Sequence, residues 1–224
     1  MVNNSPTSTL YELTVEEKKS LFVKGTLMNI KHPRVFEGML NAIQKYENDE
    51  IIVKHTEPFL KGSVLVGDKV KCQILASNYE YTIYSEVSNI DISKTGFVKI
   101  KIIRAYRYEN LRRDKRYLVN FRTNIFLDTN TKPIYGIVKN ISLSGMAIVS
   151  NFHFKALSCV SMKFSTHPHK DDFIELSARV IRESSSEGYF EYGLLILKID
   201  DKNKQALSNL INQLENNEIS LIDL

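Results

Sequence analysis

Two short stretches of this sequence carry side chains suited to capturing an anionic ligand. The first is Arg112-Arg113-Asp114-Lys115-Arg116. A guanidinium is a planar fork of N–H donors that pairs with phosphate or with the O6 and N7 edge of guanine, and its flat face stacks on a base. The second is Asn140-Ile141-Ser142-Leu143-Ser144-Gly145. An amide, two hydroxyls and a glycine suit a turn whose backbone must come close to a bound molecule. Charge gathers around the first stretch. From Arg104 to Arg122 seven basic side chains face Glu109 and Asp114, a local excess of five against a net +4 for all 224 residues. The positive field therefore has one location.

Other chemistries find little support. His167 and His169 flank Pro168, with His153 nearby, but they stand beside Asp171 and Asp172 with no cysteine close, so no metal site is expected. There is no GxSxG, HExxH, P-loop or paired-carboxylate pattern, and Ser142 has no histidine at a suggestive spacing. The expectation is a protein that is not an enzyme and needs no cofactor. Cys72 and Cys159 lack CxxC spacing and sit in β-like apolar runs, which predicts two reduced core thiols. No apolar run approaches the ~18 residues of a membrane span. Residues 1–13 lack the basic start and apolar stretch of a signal peptide. A cytoplasmic protein without membrane insertion is expected.

These stretches must be positioned by a scaffold, and 43% hydrophobic with 25% charged residues is the composition of a chain with a real core. The length suits two small domains. Residues 10–21 allow a helical turn or two, with Glu16 and Glu17 ahead of Lys18 and Lys19. Residues 35–46 and 50–55 read as a hairpin around Asn48-Asp49. Further strands are expected over 69–75, 79–90 and 97–103, with Lys94-Thr95-Gly96 as a turn. Residues 104–116, charged and without apolar period, predict an interdomain connector. Its Tyr106 and Tyr108, with Tyr117 just beyond, are expected to pack it against a barrel, with stacking on guanine as a second role. Strands follow over 117–127, 134–141, 146–150, 160–164, 173–182 and 189–199, a spacing that favours a sandwich or barrel. Ala206, Leu207, Leu210, Ile211 and Leu214 then recur at helical spacing over residues 200–214, with Asp200 or Asp201 as cap.

An RxxxR pattern followed about 25 residues later by (D/N)xSxxG resembles the signature of PilZ domains, the cyclic di-GMP receptors of bacteria. Arg112 and Arg116 fit the first pattern; Asn140, Ser142 and Gly145 fit the second. The resemblance covers residues 110–214 and includes Glu191-Tyr192-Gly193 ahead of an apolar strand. The N-terminal half is similar to the barrel that precedes PilZ in flagellar-brake proteins, through Val66-Gly67-Asp68-Lys69-Val70 and Tyr84-Ser85-Glu86-Val87.

The resemblance implies an all-β protein of two small β-barrels. A split-barrel-like domain would occupy residues 1–107, and a PilZ-like barrel with a C-terminal helix residues 108–224. It implies a cyclic di-GMP site made of Arg112, Arg113, Arg116, Asn140, Ser142 and Gly145. Arg113 lies inside the RxxxR frame, so either Arg112 or Arg113 could make the principal base contact. The implied function is a receptor whose domains rearrange on binding and regulate a flagellar motor component or other effector protein, with no polynucleotide partner. The rival reading of the same basic, tyrosine-bearing stretch is an RNA or single-stranded DNA-binding protein built from two small β-barrels.

Overall fold

A computed structural model of the chain describes residues 10–36, 39–76, 78–93, 96–127, 132–166 and 173–216. Contacts divide the chain into two units: residues 1–32 with 41–113, and residues 33–40 with 114–224.

The chain opens with β1 (Tyr11–Glu12), α1 (Val15–Leu21), β2 (Leu27–Lys31), β3 (Met39–Glu47), β4 (Glu50–Lys54), α2 (Glu57–Leu60), β5 (Lys69–Leu75), β6 (Tyr79–Ile90) and β7 (Phe97–Glu109). Strands hydrogen-bond in the order β7-β4-β3-β2-β5-β6, and β6 returns to β7, closing a six-stranded barrel to which β1 adds at β7. Ile43, Ile51, Ile83, Val98, Ile100 and Ala105 are fully buried in it. Its local starts and stops are legible in the residues. Thr14 caps α1 in a capping box with Glu17. Asn48 and Asp49 take φ of 52° and 58°, the left-handed pair that a two-residue hairpin turn requires.

The expected connector over 104–116 is shorter. β7 keeps pairing with β6 from Val98↔Ile90 to Glu109↔Tyr79. Residues 104–109 are therefore strand: Ala105 is buried while Arg104 and Glu109 face water. Arg104 is on the wet face, while Arg107 follows the phase of Ala105 and pairs with Glu17, so charge on both faces hides the period of two. β2 and α2 were not expected either. Lys94 and Thr95 lie outside the described residues, as do His167 and His169; the Gly96 amide donates to the Ser93 carbonyl at 2.8 Å.

The second unit comprises β8 (Tyr117–Phe126), β9 (Ile134–Ile141), β10 (Gly145–Ser150), β11 (Cys159–Ser165), β12 (Phe173–Ser185), β13 (Phe190–Lys198) and α3 (Asp201–Glu215). Its strands close in the order β10-β13-β12-β11-β8-β9. Tyr192 is wholly buried, and its hydroxyl accepts from the Phe154 amide at 2.9 Å and donates to the Phe152 carbonyl at 3.1 Å. A large apolar ring thus enters the core without orphaning its polar end. Asp200 caps α3 by accepting from the Asn203 amide at 2.8 Å, and Leu207, Leu210, Ile211 and Leu214 form the buried stripe of that helix. Cys72 is buried as expected, with burial pushing its thiol up to about 12. Cys159 corrects the expectation. It begins β11 on the wet face and is exposed. Among the described residues no helix is long and apolar enough to cross a membrane.

Candidate functional site

In the second unit, register brings one arginine to the polar turn. β8 pairs with β9 through Tyr117↔Ile141 and Leu118↔Asn140. Because the strands are antiparallel, Arg116, entering β8, stands beside Ser142, leaving β9. Arg116 is half-buried. The Asn140 side chain is on β9 in a residue only 5% exposed, and its Oδ1 has no hydrogen-bond partner among the described residues. A buried acceptor left without a donor is destabilising.

The turn itself is locked. The Ser142 amide donates to the Gly145 carbonyl at 2.8 Å, the Ser142 hydroxyl donates to the same carbonyl at 3.0 Å, and the Gly145 amide donates to Ser142 Oγ at 3.2 Å. Ser142 is therefore a turn-forming hydroxyl. Gly145 answers to its neighbour strand: a Cβ there would lie 2.4 Å from the carbonyl oxygen of Leu194 on β13. The sequence suggests that this glycine admits a ligand; the structure supplies a closer reason, strand-to-strand approach. Between them Leu143 and Ser144 are exposed, and the Ser144 carbonyl accepts from the Ile196 amide at 2.9 Å.

Arg112 and Arg113 belong to the first unit. Arg113 is exposed. Arg112, with its side chain 31% exposed, forms an ion pair through Nη1 with Glu80 Oε1, and Glu80 is only 3% exposed. The Tyr108 hydroxyl donates to Glu80 Oε2 at 2.7 Å. Asn110 Oδ1 accepts from both the Arg112 amide and Nη1 at 3.3 Å. Glu80 and Tyr108 are thus partners of a motif arginine that the sequence reading did not find. The sequence carried no signal for it, since alternation with Tyr79, Tyr81 and Ile83 puts Glu80 in the polar phase of the strand.

Within the RxxxR frame, Lys115 Nζ lies 3.1 Å from Glu215 at the end of α3 and 5.0 Å from the centre of the Tyr117 ring. Hydrogen bonds from Lys115 and Tyr117 hold the Glu215 carboxyl below the usual carboxylate range. Tyr106 packs edge-on against Tyr84, 6.2 Å between centres. His153 is exposed and 3.1 Å from Glu183, and the described residues hold no cluster of three potential metal ligands.

Residues 110–213 match the model of the PilZ domain. No curated protein matches the chain. Several solved structures are similar in fold. The MrkH–c-di-GMP complex of K. pneumonia is 12% identical, with a TM-score of 0.50 over 92% of this chain and 96% of that one. YcgR of Escherichia coli in complex with c-di-GMP is 9% identical, covering 89% and 88%, with a TM-score of 0.43. The Bacillus subtilis inhibitor of motility, MotI/DgrA, is 16% identical, covering 87% and 98%, with a TM-score of 0.41.

Proposed function

Residues 110–213 of this chain are a PilZ domain, and from that premise we propose that the chain is a cyclic di-GMP receptor. The carrying observation is the β8–β9 register, which stands Arg116 beside the Asn140–Gly145 turn. The ligand carries two phosphates and two guanines. Arg116 offers a fork that suits either a phosphate or the O6/N7 edge. Asn140 lies where β9 leads into that turn, and its amide carries both donors and an acceptor that match the pairing edge of guanine. Arg112 and Arg113 complete the set from the first unit. Ser142 and Gly145 act by fixing the turn.

The RxxxR frame crosses from one unit to the other, between Arg113 and Asp114. A ligand gripping both ends of it selects among arrangements of the units through its differential affinity for them. The proposed output is contact with an effector protein, a flagellar motor component in the flagellar-brake reading of residues 1–107, within a cytoplasmic, non-enzymatic receptor.

The test is calorimetric titration of the full chain with cyclic di-GMP. Saturable micromolar or tighter binding, unaffected by excess single-stranded RNA, is expected. No heat with cyclic di-GMP, together with broad and steeply salt-dependent binding of polynucleotides, would replace this reading with the rival one.

A further inference from the structure

Glu80 is a buried carboxylate that serves no turn, cap or metal among the described residues. Its described partners are the guanidinium of Arg112 and the hydroxyl of Tyr108. Resting on the cyclic di-GMP reading, we propose that Glu80, seated by Tyr108, is a positioning residue that aims Arg112 and mutes its charge, so that Arg112 contributes shape-specific contact with guanine, leaving phosphate to the other arginines.

Two outcomes are conceivable when ligand arrives: the ion pair breaks and releases Arg112, or it persists and orients it. Burial decides between them. With Glu80 only 3% exposed, removing its counter-charge strands a carboxylate in a poorly solvated place, a larger penalty than one ligand contact returns. The pair therefore persists. Glu80 and Asn110 both engage Nη1 of Arg112, and a guanidinium holds its N–H donors in one fixed plane. A carboxylate and an amide oxygen at that end of the fork limit how its plane can swing, and a restrained plane is what bidentate pairing or stacking on a base needs. The same carboxylate cancels most of the net charge that Arg112 would present to a phosphate. Arg113, exposed, carries no such carboxylate among its described contacts.

The experiment is titration of full-length parent and Glu80→Gln with cyclic di-GMP at several salt concentrations. Gln keeps the shape and an acceptor for Tyr108 while removing the charge. Affinity should fall about tenfold, a scale typical of coupling within one ion-pair network. The dependence of affinity on salt should steepen, because Arg112 now presents its full charge. A merely structural role would not move that slope. In an Arg112→Ala background, Glu80→Gln should add no further loss. Tyr108→Phe, which keeps the ring, should weaken binding in the same direction by roughly threefold and provides the test if Glu80→Gln fails to fold. Unchanged or tighter binding by either folded variant overturns the proposal, since it would make Glu80 a restraint that binding must break. A parent that gives no heat with cyclic di-GMP overturns the receptor reading itself and this proposal with it.

Discussion

Arg112 and Arg116 are four positions apart in one motif, yet they are held by different physics. Arg112 is tied to a buried carboxylate and belongs to the first unit; Arg116 stands half-buried at a strand end of the second, next to a locked turn. One arginine neutralises a buried carboxylate, while the other is brought to its turn by strand register. A spacing pattern treats the two as equivalent. The burial of what surrounds them does not.

That contrast can be broken by substitution. Arg112→Ala should have the largest effect, destabilising the protein by about 3 kcal/mol in urea, because it orphans Glu80; this lies at the low end for a buried pair, since Arg112 is partly exposed. A midpoint equal to the parent's would mean that Glu80 is solvated or protonated. Gly145→Ala, at the turn beside Arg116, should cost about 2 kcal/mol by pressing on the Leu194 carbonyl. Arg116→Ala should shift the urea midpoint less than Arg112→Ala does and weaken cyclic di-GMP binding by roughly 2 kcal/mol, with poor rescue by lysine. If Arg116→Ala instead unfolds the barrel, the two arginines are alike after all.

The smallest expected effect sharpens the picture inside the frame. Lys115 and Tyr117 hold the Glu215 carboxyl below its ordinary range. A depressed carboxylate stabilises the folded state above its unfolded pKa and loses that contribution as pH falls through the folded one. The melting temperatures of parent and Glu215→Gln should therefore differ slightly at neutral pH and converge in acid. The cysteines give a further contrast: a thiol reagent at pH 8 should label Cys159 promptly and Cys72 only on unfolding, since burial keeps the Cys72 thiol protonated up to about 12.

Much of the second barrel was legible because its strands alternate cleanly between turn residues. Ile174, Leu176, Ala178 and Val180 are all buried, as their period demands, and Asp200 caps the helix that the Leu207–Leu214 spacing predicts. Residues 104–109 were misread because polar or charged residues fall on both faces of β7, Arg104 on one and Arg107 on the other, leaving only Ala105 as a small buried residue to count. Glu80 escaped because its significance lies in a partner 32 positions away, Arg112. β2 escaped for a different reason: its five residues include the buried Asn29, which interrupts any apolar alternation.

Closure of the second sheet has a consequence for how another protein could join this one. In a ring where every strand has two neighbours, unpaired backbone ladder is confined to stretches where a strand overruns its neighbour, as β12 does beyond Val180, where it pairs with β13 alone. A visiting segment therefore has only short overhangs to extend, and association by backbone zippering is confined to them. Over the rest of the barrel a partner is chosen through side chains and loops. Its identity can then change with a few outward-facing residues while the hydrogen-bonded cylinder beneath stays the same.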